Sequence, residues 1–166
     1  RQRQMCIRDR AQLDRFLMKI SIPVPGRDDE VQVLQRHATG FDPKDLAGAG
    51  VQAVASPAHL AAGARAVQQV EARPDVLAYI VDLARATRKS PSLSLGVSPR
   101  GATALLATAR GWAWLNGRRF VTPDDIQTMA LPTLAHRLSL RPEAELEGVT
   151  TDNVLRSVLG SVPVPR

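Results

Sequence analysis

Two arginines stand where their chemistry would be useful. Arg15 lies in Gln12-Leu13-Asp14-Arg15-Phe16, and Arg100 lies in Ser98-Pro99-Arg100. A guanidinium is planar and permanently charged, and its five donors grip phosphate oxygens as a fork. In Ser98-Pro99-Arg100 the serine can accept a backbone N–H and the proline pre-sets helical φ, which puts Arg100 in a first helical turn. Side chains tilt toward a helix N-terminus, so this guanidinium would project past a helix start that already favours anions. Ser98 and Pro99 are then the residues that position it. Arg15 would point outward, with Asp14 to orient it and Leu13 and Phe16 packing. That is the form of an arginine that stabilises charge on a transferring γ-phosphoryl group, often in trans. Taken singly, each motif also reads as something bland: a helix cap with a solvated cation, and a surface ion pair. No stretch reads Gly-x-x-x-x-Gly-Lys-[Ser/Thr], and no apolar run ends in Asp-Glu to hold magnesium. The residues look like half of a phosphate site.

Composition narrows what must position them. Over 166 residues, apolar types make up 44% and aromatics only 4%, with alanine and leucine dominant, which favours helices over a sheet. No run approaches the roughly 18 apolar residues of a membrane span, and the basic start is not followed by an apolar signal-peptide region. One cysteine, Cys6, cannot form an internal disulfide, so a reducing cytoplasm is the expected setting. The net charge is +6, but four arginines against Asp9 put +3 of it into residues 1–10, leaving an ordinary +3 for the rest. Residues 1–10 have no useful period and resemble translated sequencing-adaptor read-through. They are expected to be non-native, with the natural protein extending upstream of Ala11.

Leu17 to Ile22 alternates loosely and reads as one short strand before Pro23 and Pro25. Residues 27–37 read as a helix with Asp28, Asp29 and Glu30 in the first turn, Val31, Val33 and Leu34 supplying its apolar side, and a loop to Ala55. Ser56-Pro57 opens a helix marked by Leu60, Ala64, Val67 and Val70. After Pro74, Val76, Leu77, Ile80, Val81 and Ala84 mark the face of another. Residues 90–97 read as loop. Ser98 opens a long helix with Ala102, Leu105, Leu106, Ala109, Trp112 and Ala113 inward, ended by Asn116-Gly117. Thr122-Pro123-Asp124-Asp125 opens the next, with Ile126, Met129 and Ala130 inward. Phe120-Val121 and Leu138-Ser139-Leu140 are expected to pair as short strands, and a last helix runs from Thr151 to Leu159. The fold class is mainly α. The expected organisation is the doubtful segment 1–10, a segment 11–25 ending another domain, a helix and linker 26–55, a four-helix bundle 56–135 and a tail 136–166.

The order Asp-Arg-Phe, strand, linker and a bundle whose third helix opens with Ser-Pro-Arg resembles the end of an AAA+ ATPase of the MoxR family. The resemblance runs from Ala11 to the C-terminus. It rests on Ala11-Gln12-Leu13-Asp14-Arg15-Phe16, Ser98-Pro99-Arg100, Val121-Thr122-Pro123-Asp124-Asp125-Ile126, Leu134-Ala135-His136-Arg137-Leu138 and Leu140-Arg141-Pro142-Glu143-Ala144. It implies a helical AAA+ lid domain preceded by one orphan strand of an α/β core. It implies that Arg15 is the arginine finger and Arg100 the sensor-2 arginine, acting in cis or in trans. It implies a parent protein that hydrolyses ATP with Mg²⁺ in a homo-oligomeric ring, a hexamer, with chaperone-like work on von Willebrand factor A-domain partners. The fragment alone is expected to bind no cofactor and hydrolyse no ATP. Gly101 follows Arg100 where the family tends to have alanine, which is expected to loosen that helix start.

Two other classes compete. The helices at 98–116 and 122–131 could serve as a DNA-binding helix-turn-helix. Their connection exceeds the usual 3–4 residues, though, and Asp124 and Asp125 put the wrong sign where base contacts are made. A plain protein-interaction bundle, with both arginines incidental, is the other. His37, His59 and His136 lack metal-ligand spacing, so no metal site is expected.

Overall fold

A computed structural model describes residues 12–165; the segment 1–10, Cys6 and Ala11 lie outside the described residues. The chain divides into two compact units, one containing residues 65 onward together with the segment ending at Ile20, the other Ser21–Ala64.

The smaller unit carries helix α1, Arg27–Ala38, and most of α2, Pro57–Gln68, which crosses the division. Ser56 opens α2 by a reciprocal bond with His59: its hydroxyl accepts from the His59 N–H, and its own N–H donates to Nδ1. Neither helix buries a side chain, and Val31, Val33, Leu34 and Leu60 are exposed. The alanine-rich face of α2 offers little area to bury, which is why it does not act as the expected bundle stripe.

The larger unit holds the core. It is built from α3 (Pro74–Lys89), strand β1 (Leu93–Leu95), α4 (Pro99–Leu115), α5 (Pro123–Leu134), a 3₁₀ turn at Ala135–Arg137, β2 (Ser139–Leu140), the short α6 (Pro142–Leu146) and α7 (Thr151–Ser161). α4 packs along α5, α3 packs on α4, and α7 packs on α3 and α5. Leu83, Leu105, Ile126, Leu134 and Leu155 are its fully buried side chains of greatest bulk. The fourth helix to bury a stripe is α7, through Val154, Leu155 and Val158. Each buried leucine, isoleucine or valine contributes about 1.5–3 kcal/mol.

Helix starts follow the local signals. Ser98 accepts from Gly101 N, Thr150 from Asn153 N, and Thr122 with Asp125 forms a reciprocal capping box. α4 ends with Gly117 at φ +73°, where Arg118 N bonds to Ala113 O and Gly117 N to Trp114 O, a Schellman arrangement that satisfies the last carbonyls.

Four further expectations about strands and helix faces are corrected. Residues 17–22 form no strand: a strand needs a partner, and among the described residues this segment has one backbone–backbone bond, Lys19 N to Pro132 O. The short sheet is instead β1 against β2, antiparallel, pairing Leu93 with Leu140 and Leu95 with Ser139, while Phe120 bridges to Glu71. The inward face of α3 is Val76, Tyr79, Ile80, Leu83, Ala84 and Thr87; Leu77 and Val81 are turned out. Trp112 is 39% exposed, because Ala109 and Ala113 already fill the close approach of α4 to its neighbours.

Candidate functional site

The loop that delivers Ser98-Pro99-Arg100 is pinned from two sides. Thr87, fully buried at the end of α3, donates its hydroxyl to Ala84 O and accepts Val97 N–H at 3.0 Å. Arg88 Nε donates to Val97 O at 2.7 Å. Gly96 lies so close to α3 that a Cβ would sit 2.7 Å from the Arg88 N and Cα. On the far side, β1 pairs with β2, and Arg141 N donates to Ser92 O. That pairing ties the start of α4 to the chain just beyond Arg137.

Arg137 is the residue the sequence reading passed over. Its side chain is 2% exposed, and all five of its N–H groups are used. Nε donates to Thr133 O; Nη1 donates to Asp14 O and, at 2.7 Å, to Asp14 Oδ1; Nη2 donates to Phe16 O and Leu17 O. Asp14 therefore does not orient Arg15, as its adjacency suggested. Its carboxylate accepts from Arg137 and, at 3.3 Å, from Ser98 Oγ. A buried cation draws a carboxylate more strongly than a neighbouring exposed one does. Ser98 Oγ gives its proton to Asp14 and takes the Gly101 N–H at 3.1 Å, so cap and carboxylate share one hydroxyl. Leu13 and Phe16, expected to pack, are 46% and 63% exposed.

Gly101 does not loosen the helix. The Ser98 cap is intact, and an added Cβ would lie 2.8 Å from Val97 Cγ1 and 3.2 Å from Arg137 Cδ. The missing side chain is what lets Arg137 pass beneath the first turn of α4.

Arg15 and Arg100 are both exposed, and neither side chain makes an ion pair or hydrogen bond among the described residues. Arg15 follows Asp14 in a turn closed by Arg15 N to Gln12 O and Phe16 N to Leu13 O. Arg100 lies two residues from Ser98. The contact between Ser98 and Asp14 thus joins the two arginine motifs, which are 84 residues apart. A groove of about 380 Å³ opens beside it, lined in part by Asp14, Gly96, Ser98, His136, Arg137 and Glu145.

His136 Nε2 lies 3.2 Å from Phe16 O; a carbonyl can only accept, so Nε2 carries the proton. Burial, with the Arg137 and Lys19 charges in support, holds the imidazole below its ordinary pKa against the Phe16 carbonyl and the Asp14 charge. The second buried ion pair braces α5. Asp125 is 2% exposed and receives Arg118 through both guanidinium nitrogens, at 2.5 and 2.6 Å, with the Thr122 N–H and O–H also donating to it. Burial pushes the Asp125 carboxyl up, but Arg118 and Thr122 together outweigh it and hold it below the ordinary value. Among the described residues, no three of His, Cys, Asp and Glu come together as a metal set, and no helix is long and apolar enough to cross a membrane.

Bundle, cap and pinned loop together define a known class. Residues 85–158 match the family model of the AAA lid domain, so the larger unit carries an AAA lid. Protein MoxR of Paracoccus denitrificans is 30% identical over 92% of this chain, and the Mycobacterium tuberculosis chaperone MoxR1 is 29% identical over 94%. A Bacillus subtilis protein named YeaC is 39% identical over 93%. A solved structure from Cytophaga hutchinsonii that carries an ATPase assignment superposes over 95% of the chain with a TM-score of 0.79 at 28% identity. The chain belongs to the MoxR family of AAA+ ATPases. It spans about half the length of the relatives it matches: 47% of YeaC, 49% of the Paracoccus protein and 42% of MoxR1.

Proposed function

We propose that this chain contributes the lid and the arginine finger of a MoxR-type ATPase that uses ATP and Mg²⁺ in a ring of identical subunits. Arg15 reaches the γ-phosphate of a neighbouring subunit's ATP, and Arg100 senses nucleotide from the lid. The observation that carries this reading is the joining of the two motifs by Asp14 and Ser98 while both arginines stay exposed and, among the described residues, neither guanidinium makes an ion pair or hydrogen bond. A cation held only as a surface ion pair would be expected to find an acid; these two are left available for an anion.

Within the ring, lid movement with nucleotide state conveys work to a client. Chaperone-like remodelling of partner complexes in the cytoplasm, with von Willebrand factor A-domain partners, fits a family whose Mycobacterium relative is named a chaperone. In the longer protein that carries the ATPase core, Arg15→Ala should lower turnover by about 10³-fold or more, the scale of an arginine finger, and leave ATP binding within about twofold. Turnover that survives Arg15→Ala removes Arg15 from this role. Residues 12–166 alone should hydrolyse no ATP.

A further inference from the structure

We infer that Arg137, acting through Asp14 and Ser98, is a positioning residue that fixes Arg15 relative to Arg100, so that finger and lid arginine move as one body. The inference rests on the roles proposed above for those two arginines. Its basis is the way one buried side chain is spent. Arg137 donates to the carbonyls on both sides of Arg15, those of Asp14 and Phe16, and to the Asp14 carboxylate. The backbone that bears Arg15 is thus gripped before and after it, while the Arg15 side chain makes no hydrogen bond or ion pair among the described residues.

A stability role alone would be met by an apolar side chain of similar volume, since replacing a buried ion pair that way is often neutral or stabilising. A guanidinium fork does what such a residue cannot: five directed bonds set rotation as well as distance. The root of the fork is fixed too, by Nε to Thr133 O and by the close passage over Gly101. From Asp14 the linkage continues to Ser98 Oγ, the atom that caps the helix on which Arg100 sits. A shift of the lid that moves the start of α4 therefore drags the Arg15 turn with it.

The test is Asp14→Asn, which keeps size and the acceptor for Ser98 but removes the ion pair. In the longer protein, kcat should fall about 10- to 100-fold with KM for ATP within about twofold, because misplacing a reacting group by about 1 Å costs about 10²-fold. In an Arg15→Ala background the same substitution should change residual kcat by less than about twofold, since additivity fails where one residue acts through the other. An equal loss in both backgrounds, or an unchanged kcat for Asp14→Asn alone, overturns the inference. If Arg15→Ala alone leaves turnover intact, the finger reading has failed, and this inference with it. The grip itself is read on the present chain, without any ATPase. Asp14→Asn and Arg137→Lys should each speed amide exchange at Phe16 and Lys19 by about tenfold or more, ahead of global unfolding. Exchange that matches wild type in both variants overturns it as well.

Discussion

Replacing Gly96 by alanine adds one carbon at a place where the structure leaves no room. The new Cβ would lie 2.7 Å from the Arg88 N and Cα and 2.9 Å from the Thr87 carbonyl carbon, all backbone atoms of the last turn of α3. A side-chain tip could swing aside; a helix backbone cannot, so the 96–98 loop must lift away. Overpacking of this kind costs about 1–3 kcal/mol. Lifting the loop also strains the Thr87 Oγ1 bond to Val97 N and the Arg88 Nε bond to Val97 O, each contributing about 1 kcal/mol. Alanine restricts the unfolded chain and returns about 0.4–1 kcal/mol. The net loss is about 3 kcal/mol, which for a chain of this size lowers Tm by roughly 6–12 °C. Thermal unfolding followed by circular dichroism reads it. Gly111→Ala is the matched control: it lies inside α4 with nothing within 4 Å of its added Cβ, and should raise stability by about 0.5–1 kcal/mol. A Gly96→Ala protein within about 2 °C of wild type, or one shifted in the same direction as Gly111→Ala, would refute the close-packing argument.

Two further perturbations probe the braces around the site. Arg118→Met leaves the buried Asp125 carboxylate with Thr122 as its remaining partner and should cost about 2–4 kcal/mol in urea unfolding, slightly less than a fully buried pair because Arg118 keeps some solvent. A loss below about 0.5 kcal/mol would show that the pair is not desolvated in solution. Acid should destabilise the larger unit in two windows. His136, held below its ordinary value near 6.5, binds fewer protons folded than unfolded, so stability falls as pH drops from about 6.5 toward its lowered value. Asp125, also held low, contributes stability above about 4 that is lost as pH falls through its lowered value. Urea midpoints measured from pH 8 to pH 3 should show both declines. His136→Gln, which keeps an N–H for Phe16 O, should erase the upper one; its persistence would assign that step to another group.

Helix starts and stops were legible because their causes are local. Ser98, Thr122 and Thr150 each bond a backbone N–H three residues on, and Gly117 ends α4 with a positive φ that glycine adopts freely. Strand pairing was not, because β1 and β2 lie more than 40 residues apart and are too short to carry a period. The face of α3 was not legible for a related reason. Periodicity alone offered Val81 and Leu77, and the packing against α4 and α7 selected Tyr79 and Leu83 instead. Arg137 was not legible as a positioning group, since nothing in Ala135-His136-Arg137-Leu138 says that its partner stands 123 residues earlier. An arginine set between His136 and Leu138, in a stretch otherwise rich in leucine, was the one available hint.

The sequence by itself determined most of the helices, the family, and the two arginine motifs as candidates, since these depend on residue type and spacing over a few turns; the short helix Pro142–Leu146 it did not show. The tertiary structure decided what those motifs are attached to. It gave Asp14 to Arg137 and Ser98 rather than to Arg15, made Gly101 a clearance for a buried guanidinium, and left Arg15 and Arg100 exposed and, among the described residues, without an ion pair or hydrogen bond to either guanidinium. The physical reason is desolvation. A charge buried at Arg137 must be met by nearly every acceptor within reach, and which acceptors those are is settled only when distant segments pack.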